Sequence, residues 1–326
     1  MQSLDDTALR VAIDLRDAYE ATVALWRDLD AVDGRMVWKS VKGRDYLYHV
    51  FGHAGTGTSR GRRSVATEAI YEQFRARKAR TKEQLADTEP HLRRAAAMYV
   101  ASGLPVIDSW AAKLFQHLDR TGLLGSLVMV VGTNAMPAYQ LEAQARTGQR
   151  LHATRDTDIA WTAPEERGEP VLWPALREFD PSFTINLEQP FQAIGRGSRE
   201  LELLSAPTLL HAAAAEPFRP IPLPEQEWLL RGQALRHIVT GLDRTPTPLM
   251  VPDPRWFALH KRWLADKPGR DPLKAPKDQR QAQTIWHWLD AMARYPRDPA
   301  FLRSLPNELR SVAKLLSEEC AGTPLR

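Results

Sequence analysis

The chain has 326 residues, 43% hydrophobic and 26% charged, with a formal net charge of +4. That is enough apolar material for a buried core and enough length for two domains, and it excludes a disordered or fibrous protein. The mild basicity permits a nucleic-acid partner without requiring one, while the lone cysteine, Cys320, excludes an intramolecular disulfide and fits a reducing cytoplasm.

The N-terminus meets acidic residues before any apolar run, so no signal peptide is expected. Residues 4–30 place Leu9, Ala12, Ile13, Leu15, Leu25 and Trp26 at helical spacing. Within the polar segment 38–64, DYLYHVFG has the aromatic and β-branched content of a strand. The stretch HAGTGTSRGRRS, from His53, reads as a flexible loop. It lacks the Gly-Lys-Ser/Thr ending of a P-loop, although Arg60, Arg62 and Arg63 are available to a phosphate. Residues 65–120 read as two helices parted near 102–105, with a basic polar face up to Arg94. At 127–131, LVMVV is a short β-branched run ending at Gly132, the mark of a buried strand. A helix is expected over about 135–146, with Gly148 as its C-terminal cap. Strands are expected over 151–162, 183–187, 191–194 and 200–204, and two more within 234–251. From Pro254 onward the chain reads helical, broken by a loop at 267–276. The most apolar stretch, 123–131, falls far short of the roughly 20 residues needed to span a bilayer. A soluble cytoplasmic protein with no membrane partner is the expectation.

Chemistry concentrates in VVGTNAMPAYQLEAQARTGQRLHATRDTDIAW. A strand runs into Gly132-Thr133 and then a helix; glycine admits close backbone approach, and free amides at a helix start suit an anion. Asp156 and Asp158 stand two apart on the next strand, so both carboxylates share a face. Two close carboxylates repel unless a cation or proton lies between them, and hard oxygens suit Mg²⁺. Two-metal transfer to a hydroxyl uses such a pair with a third carboxylate. Glu202, between Leu201 and Leu203 in RELELLSAP, is the candidate, facing away from those leucines. One cysteine and no paired histidines at ligand spacing exclude a zinc site.

Gly-Thr after a strand, then Asp-x-Asp, then one acid on a later strand resembles the DNA polymerase β-type nucleotidyltransferase superfamily. WKSVKGRDYLYHV, RGRRSVATE, VVGTNAMPAY, ATRDTDIAW, LELLSAP, VPDPRWFALHKRWLA and KAPKDQRQA more closely resemble a bacterial nucleotidyltransferase-fold family within it. The resemblance spans most of the chain, from about Trp38 to Ala282. It implies an α+β fold: a nucleotidyltransferase (polymerase β-like) mixed sheet core over 121–251, a mainly helical region with a short β segment over 1–120, and a helical region over 252–326. It implies that Asp156, Asp158 and Glu202 are catalytic and hold Mg²⁺ or Mn²⁺. Gly132, Thr133 and Asn134 would seat the triphosphate of an NTP. Glu202 stands where the superfamily more commonly has Asp, one methylene shorter.

Pro252-Asp253-Pro254 should end an extended stretch and start a helix carrying His260, Lys261 and Arg262. Lys274, Lys277 and Arg280 follow, with Asp278. In related transferases a basic helix here faces the nucleotide, so Lys261 and Lys277 are candidate phosphate contacts. A helix bearing Trp256, Phe257, Leu259 and Leu264 would also place basic residues in solvent without any ligand.

The implied reaction moves a nucleoside monophosphate from an NTP to an acceptor hydroxyl. RNA, such as a tRNA 3′ end, is the acceptor in toxin-type members, with a cognate antitoxin as partner; the basic stretch 75–94 would then dock the RNA. A protein hydroxyl on a target protein is a second class, and nucleotide or nucleic-acid binding without turnover a third.

Overall fold

A computed structural model of the chain describes residues 2–52, 57–146 and 156–321. The chain divides into two compact units: Met1–Leu15 with Ala96–Arg326, and Arg16–Ala95.

The chain opens with a two-residue strand, β1 (Gln2–Ser3), and helix α1 (Asp6–Asp30). Asp5 starts α1 by accepting the Ala8 amide at 2.8 Å. In the Arg16–Ala95 unit β2 (Arg35–Val41), β3 (Arg44–Val50) and β4 (Gly57–Arg62) form an antiparallel sheet in that order, followed by α2 (Val65–Ala101). The strand expected from DYLYHV is β3. The loop expected over 53–64 is corrected, because 57–62 form β4; residues 53–56 lie outside the described ones. Nothing in GTSRGR favours a strand. The ladder to β3 makes it one, with a register shift between Leu47 and Tyr48.

The larger unit continues with β5 (Val106–Ile107), α3 (Ser109–Arg120), β6 (Val128–Val130), a 3₁₀ turn (Gly132–Ala135), α4 (Met136–Glu142), β7 (Ala145–Arg146) and β8 (Asp156–Trp161). Next come α5 (Leu172–Phe179), β9 (Thr184–Ile185), β10 (Gln192–Gly195), β11 (Arg199–Ser205), β12 (Ile221–Pro222) and α6 (Gln226–Leu229). The hairpin β13 (Leu235–Gly241) and β14 (Pro246–Val251) leads into α7 (Pro254–Ala265), α8 (Ala275–Trp288), α9 (Pro299–Ser304) and α10 (Asn307–Ala321). The central sheet has the order β6-β8-β11-β10-β9, with β12 also on β11. It is mixed: β8 and β12 run parallel to β11, and the other pairs are antiparallel. A smaller sheet has the order β14-β13-β5, and β1 pairs with β7. The architecture is α+β, with helical segments before and after the sheet.

Three local expectations need correction. The helix over 135–146 is a 3₁₀ turn and a seven-residue α4, after which Gln144 takes φ +50° and the chain enters β7. The loop at 267–276 ends earlier, because Pro276 lies in the first turn of α8, where its missing N–H costs nothing. Helix α5 was not anticipated: buried Glu216 caps it, accepting the amides of Val171 at 2.6 Å and Leu172 at 2.7 Å. Gly148 and His152 lie outside the described residues. No helix among the described residues is long and apolar enough to cross a membrane.

Candidate active site

The LVMVV run is fully buried as β6, because both faces of this strand are covered. It lies antiparallel to β8, and the Val131 amide donates to the Asp158 carbonyl at 3.1 Å, holding the following turn against β8. On β8's other edge runs β11, parallel and in register, with Asp156 beside Glu200 and Asp158 beside Glu202. In-register neighbours share a face, so four carboxylates stand on one side of the sheet. Thr157, Ile159, Leu201 and Leu203 are buried on the other. The alternation that singled out Glu202 thus places it next to Asp158. Glu200 was missed; it accepts from the Gln192 amide at 3.3 Å and does not line the cleft described next.

A cleft of about 600 Å³ opens over this face. Gly132, Thr133, Asp156, Asp158 and Glu202 line it from the sheet, and Lys261, Lys267, Arg270, Lys274 and Lys277 from α7, α8 and the segment between them. Gly132 is required twice. It sits at φ +67°, and a Cβ there would lie 2.1 Å from Asp158 Oδ2. Asn134 is buried at 5% exposure and is not among the lining residues, so the structure does not bring it to the cleft.

Helix α7 starts as expected after Pro252-Asp253-Pro254, with the Asp253 carboxylate accepting the Arg255 amide at 2.9 Å. The Tyr139 hydroxyl donates to the Pro252 carbonyl at 2.9 Å, and its ring packs on Phe257 at 4.9 Å, tying α4 to the start of α7. Lys261 is not in solvent. At 6% exposure its ammonium donates to Asp278 Oδ1 at 2.8 Å. Asp278 also accepts from Arg270 Nε at 2.8 Å. The Lys274 ammonium stands 3.9 Å from Asp156 Oδ2. Sequence reasoning singled out Lys261 and Lys277; it noted Lys274 without a role and missed Arg270, which sits on a loop with no periodic signal.

Over these elements a nucleotidyltransferase family model matches residues 110–302, more than half the chain. The chain belongs to this nucleotidyltransferase family. The protein is therefore an enzyme of the transferase type, and every cleft residue named above falls within the match. Searches of curated proteins and of solved structures returned no match.

The charges of the transferase's cleft are uncomfortable without ligands. Burial pushes the Asp158 carboxyl above its ordinary range, and Asp156 adds to this. Burial, then Asp158 and Asp156, push Glu202 up to about 7. Burial and the neighbouring Lys261 push Lys277 down. His260 is buried to a pKa of about 3 and so is neutral, and its Nδ1 has no partner among the described residues. A divalent cation would relieve the carboxylates and a polyphosphate the lysines. Among the described residues no three His, Cys, Asp or Glu side chains make a ready-made metal cage. Mg²⁺ is commonly held by one or two carboxylates, water and the substrate's own phosphates. Asp156 and Asp158 offer that donor set.

A pH test follows. Between pH 4.5 and 7 the folded transferase keeps a proton on Glu202 that the unfolded chain releases, so ionising this group above pH 7 opposes folding. In metal-free protein Glu202→Gln should raise the melting temperature at pH 8 by a few degrees, about 1–2 kcal/mol after allowing for partial exposure. The gain should fade toward pH 4.5. Thermal melts in EDTA across this range check it; a pH-independent difference would refute the account.

Proposed function

We propose that the transferase moves a nucleoside monophosphate from an NTP to an acceptor hydroxyl, releasing pyrophosphate, with Mg²⁺ or Mn²⁺ as cofactor. The observation that carries this reading is the in-register pairing of Asp158 with Glu202, beside Gly132 and inside a cleft that Lys261, Lys267, Arg270, Lys274 and Lys277 also line. The carboxylates come from a polymerase β-like core, taken as residues 121–251, and the cations from the helical region 252–326.

Asp156 and Asp158 would hold the metal, with Glu202 as the third carboxylate. Bound there, divalent cations supply Lewis-acid stabilisation of the charge that builds on the transferring phosphoryl group. The turn at Gly132-Thr133 presents backbone and a hydroxyl to the triphosphate. Lys261, Lys274 and Lys277 line the same space, where they would neutralise charge passing to the pyrophosphate. Glu202 would take the proton of the acceptor hydroxyl as its oxygen attacks the α-phosphorus.

The test is incubation with Mg²⁺ and each α-³²P-labelled NTP in the presence of total RNA and lysate protein. Label on RNA or on a protein band, absent with an Asp156→Ala/Asp158→Ala control, supports the proposal and names the acceptor class. NTP binding without label under any condition would favour binding without turnover.

A further inference from the structure

The Arg16–Ala95 unit lies outside the family match and contributes no residue to the cleft. It carries sixteen lysines and arginines against eleven acidic residues, an excess larger than the +4 of the entire chain. The excess is concentrated. Between residues 35 and 63 seven Lys and Arg accompany one acid, Asp45.

The strand register sorts these residues onto two faces. Leu47 and His49 are buried, and Trp38 and Met36 are their partners on β2. This face is covered by α2: Trp38 packs on Tyr71 at 5.9 Å and His49 on Phe74 at 5.3 Å. Asp45 shares its parity and is engaged by Arg63 at 3.5 Å. Alternation sends Tyr46 and Tyr48 to the opposite face. There Lys39 and Arg62 flank Tyr46 on the neighbouring strands, and Arg44 precedes it by two residues. Both tyrosines are half-buried, while Lys39, Arg44 and Arg62 are exposed. The Lys39 ammonium lies 5.1 Å from the centre of the Tyr48 ring, so an exposed cation stands over that ring. Among the described residues no carboxylate pairs with Lys39, Arg44 or Arg62.

We propose that this sheet face binds single-stranded nucleic acid, with bases stacked on Tyr46 and Tyr48 and phosphates on Lys39, Arg44 and Arg62. The cations on this face lack a counter-charge, and phosphate supplies it. Half-buried aromatic rings flanked by exposed cations accept unpaired bases of any sequence. A duplex hides its base faces and cannot use the rings. The helical stretch 75–94 is a weaker docking surface, because Arg75, Arg77 and Arg93 are already paired with Glu72, Asp28 and Glu89. As the holder of an RNA acceptor this face rests on the transfer proposed above; as a binding surface it stands on its own residues.

The test uses the full chain in EDTA without NTP, so it does not depend on turnover. Fluorescein-labelled single-stranded RNA, single-stranded DNA of the same sequence and the corresponding RNA duplex are titrated by anisotropy over a salt series. Single strands should bind tighter than duplex. Tyr46→Ala/Tyr48→Ala should weaken single-strand binding at least about tenfold with the salt slope kept. Tyr46→Phe/Tyr48→Phe should bind like wild type. Lys39→Ala/Arg44→Ala/Arg62→Ala should flatten the salt slope. Asp156→Asn/Asp158→Asn should bind like wild type even if transfer is lost. Equal affinity for RNA and DNA keeps the platform and shows that 2′-hydroxyls are not read. Duplex bound as tightly as single strand, or affinity and salt slope unmoved by both the tyrosine and the cation variants, overturns the proposal.

Discussion

Replacing Asp158 with asparagine is expected to lower nucleotidyl transfer at least about a thousand-fold, while leaving metal-free protein at least as stable as wild type. The two expectations come from one geometry. Asp158 lies so close to the Gly132 turn that even a Cβ there would collide with its carboxylate, so asparagine, of the same size, fits where a larger side chain would not. Burial pushes the carboxyl up, which means its charge opposes folding until a cation arrives. The amide removes that opposition together with the charge a divalent cation needs. Single-turnover rates with α-³²P-labelled NTP and thermal melts in EDTA separate the two effects. Activity within tenfold of wild type would remove Asp158 from the proposed metal site. Activity lost together with the fold would make it a structural residue.

The second large effect lies at Asp278. Its side chain is 3% exposed and neutralises both Lys261 and Arg270. Asp278→Ala leaves the buried Lys261 ammonium without its hydrogen-bonded counter-ion, which should cost about 3–5 kcal/mol in urea unfolding. The double variant Lys261→Met/Asp278→Leu should recover most of that stability, since an apolar pair can fill the space of a buried ion pair. It should not recover NTP affinity, measured by equilibrium binding, if Lys261 faces the triphosphate. Full recovery of both would make the pair purely structural.

Residues whose signal is local were legible in the sequence. The β6 run announced itself by its β-branched content, and Asp156, Asp158 and Glu202 by alternation against buried neighbours. What joins them was not legible. The register that sets Asp158 beside Glu202 depends on strands far apart in the chain, and alternation within one strand says nothing about its partner. Helix α5 escaped because its cap, Glu216, is 44 residues away from Leu172. Residues 57–62 looked like a loop because their composition is that of one; pairing to β3 overrides it. Lys261 was expected either on phosphate or in solvent, and its burial against Asp278 depends on how α7 and α8 pack. Arg270 gave no pattern at all, since loop residues carry no period from which to infer a face.

The pairing of β1 with β7 sets an order on synthesis. Ser3 leaves the ribosome about 140 residues ahead of its partner Ala145, a delay on the order of ten seconds at typical elongation rates. All of the Arg16–Ala95 unit emerges within that interval. Its three-stranded sheet and its helices can therefore close while the first strand of the larger unit still waits. A nascent chain stalled once Ala95 has left the ribosome would then already carry the tyrosine-bearing sheet, and none of the cleft carboxylates.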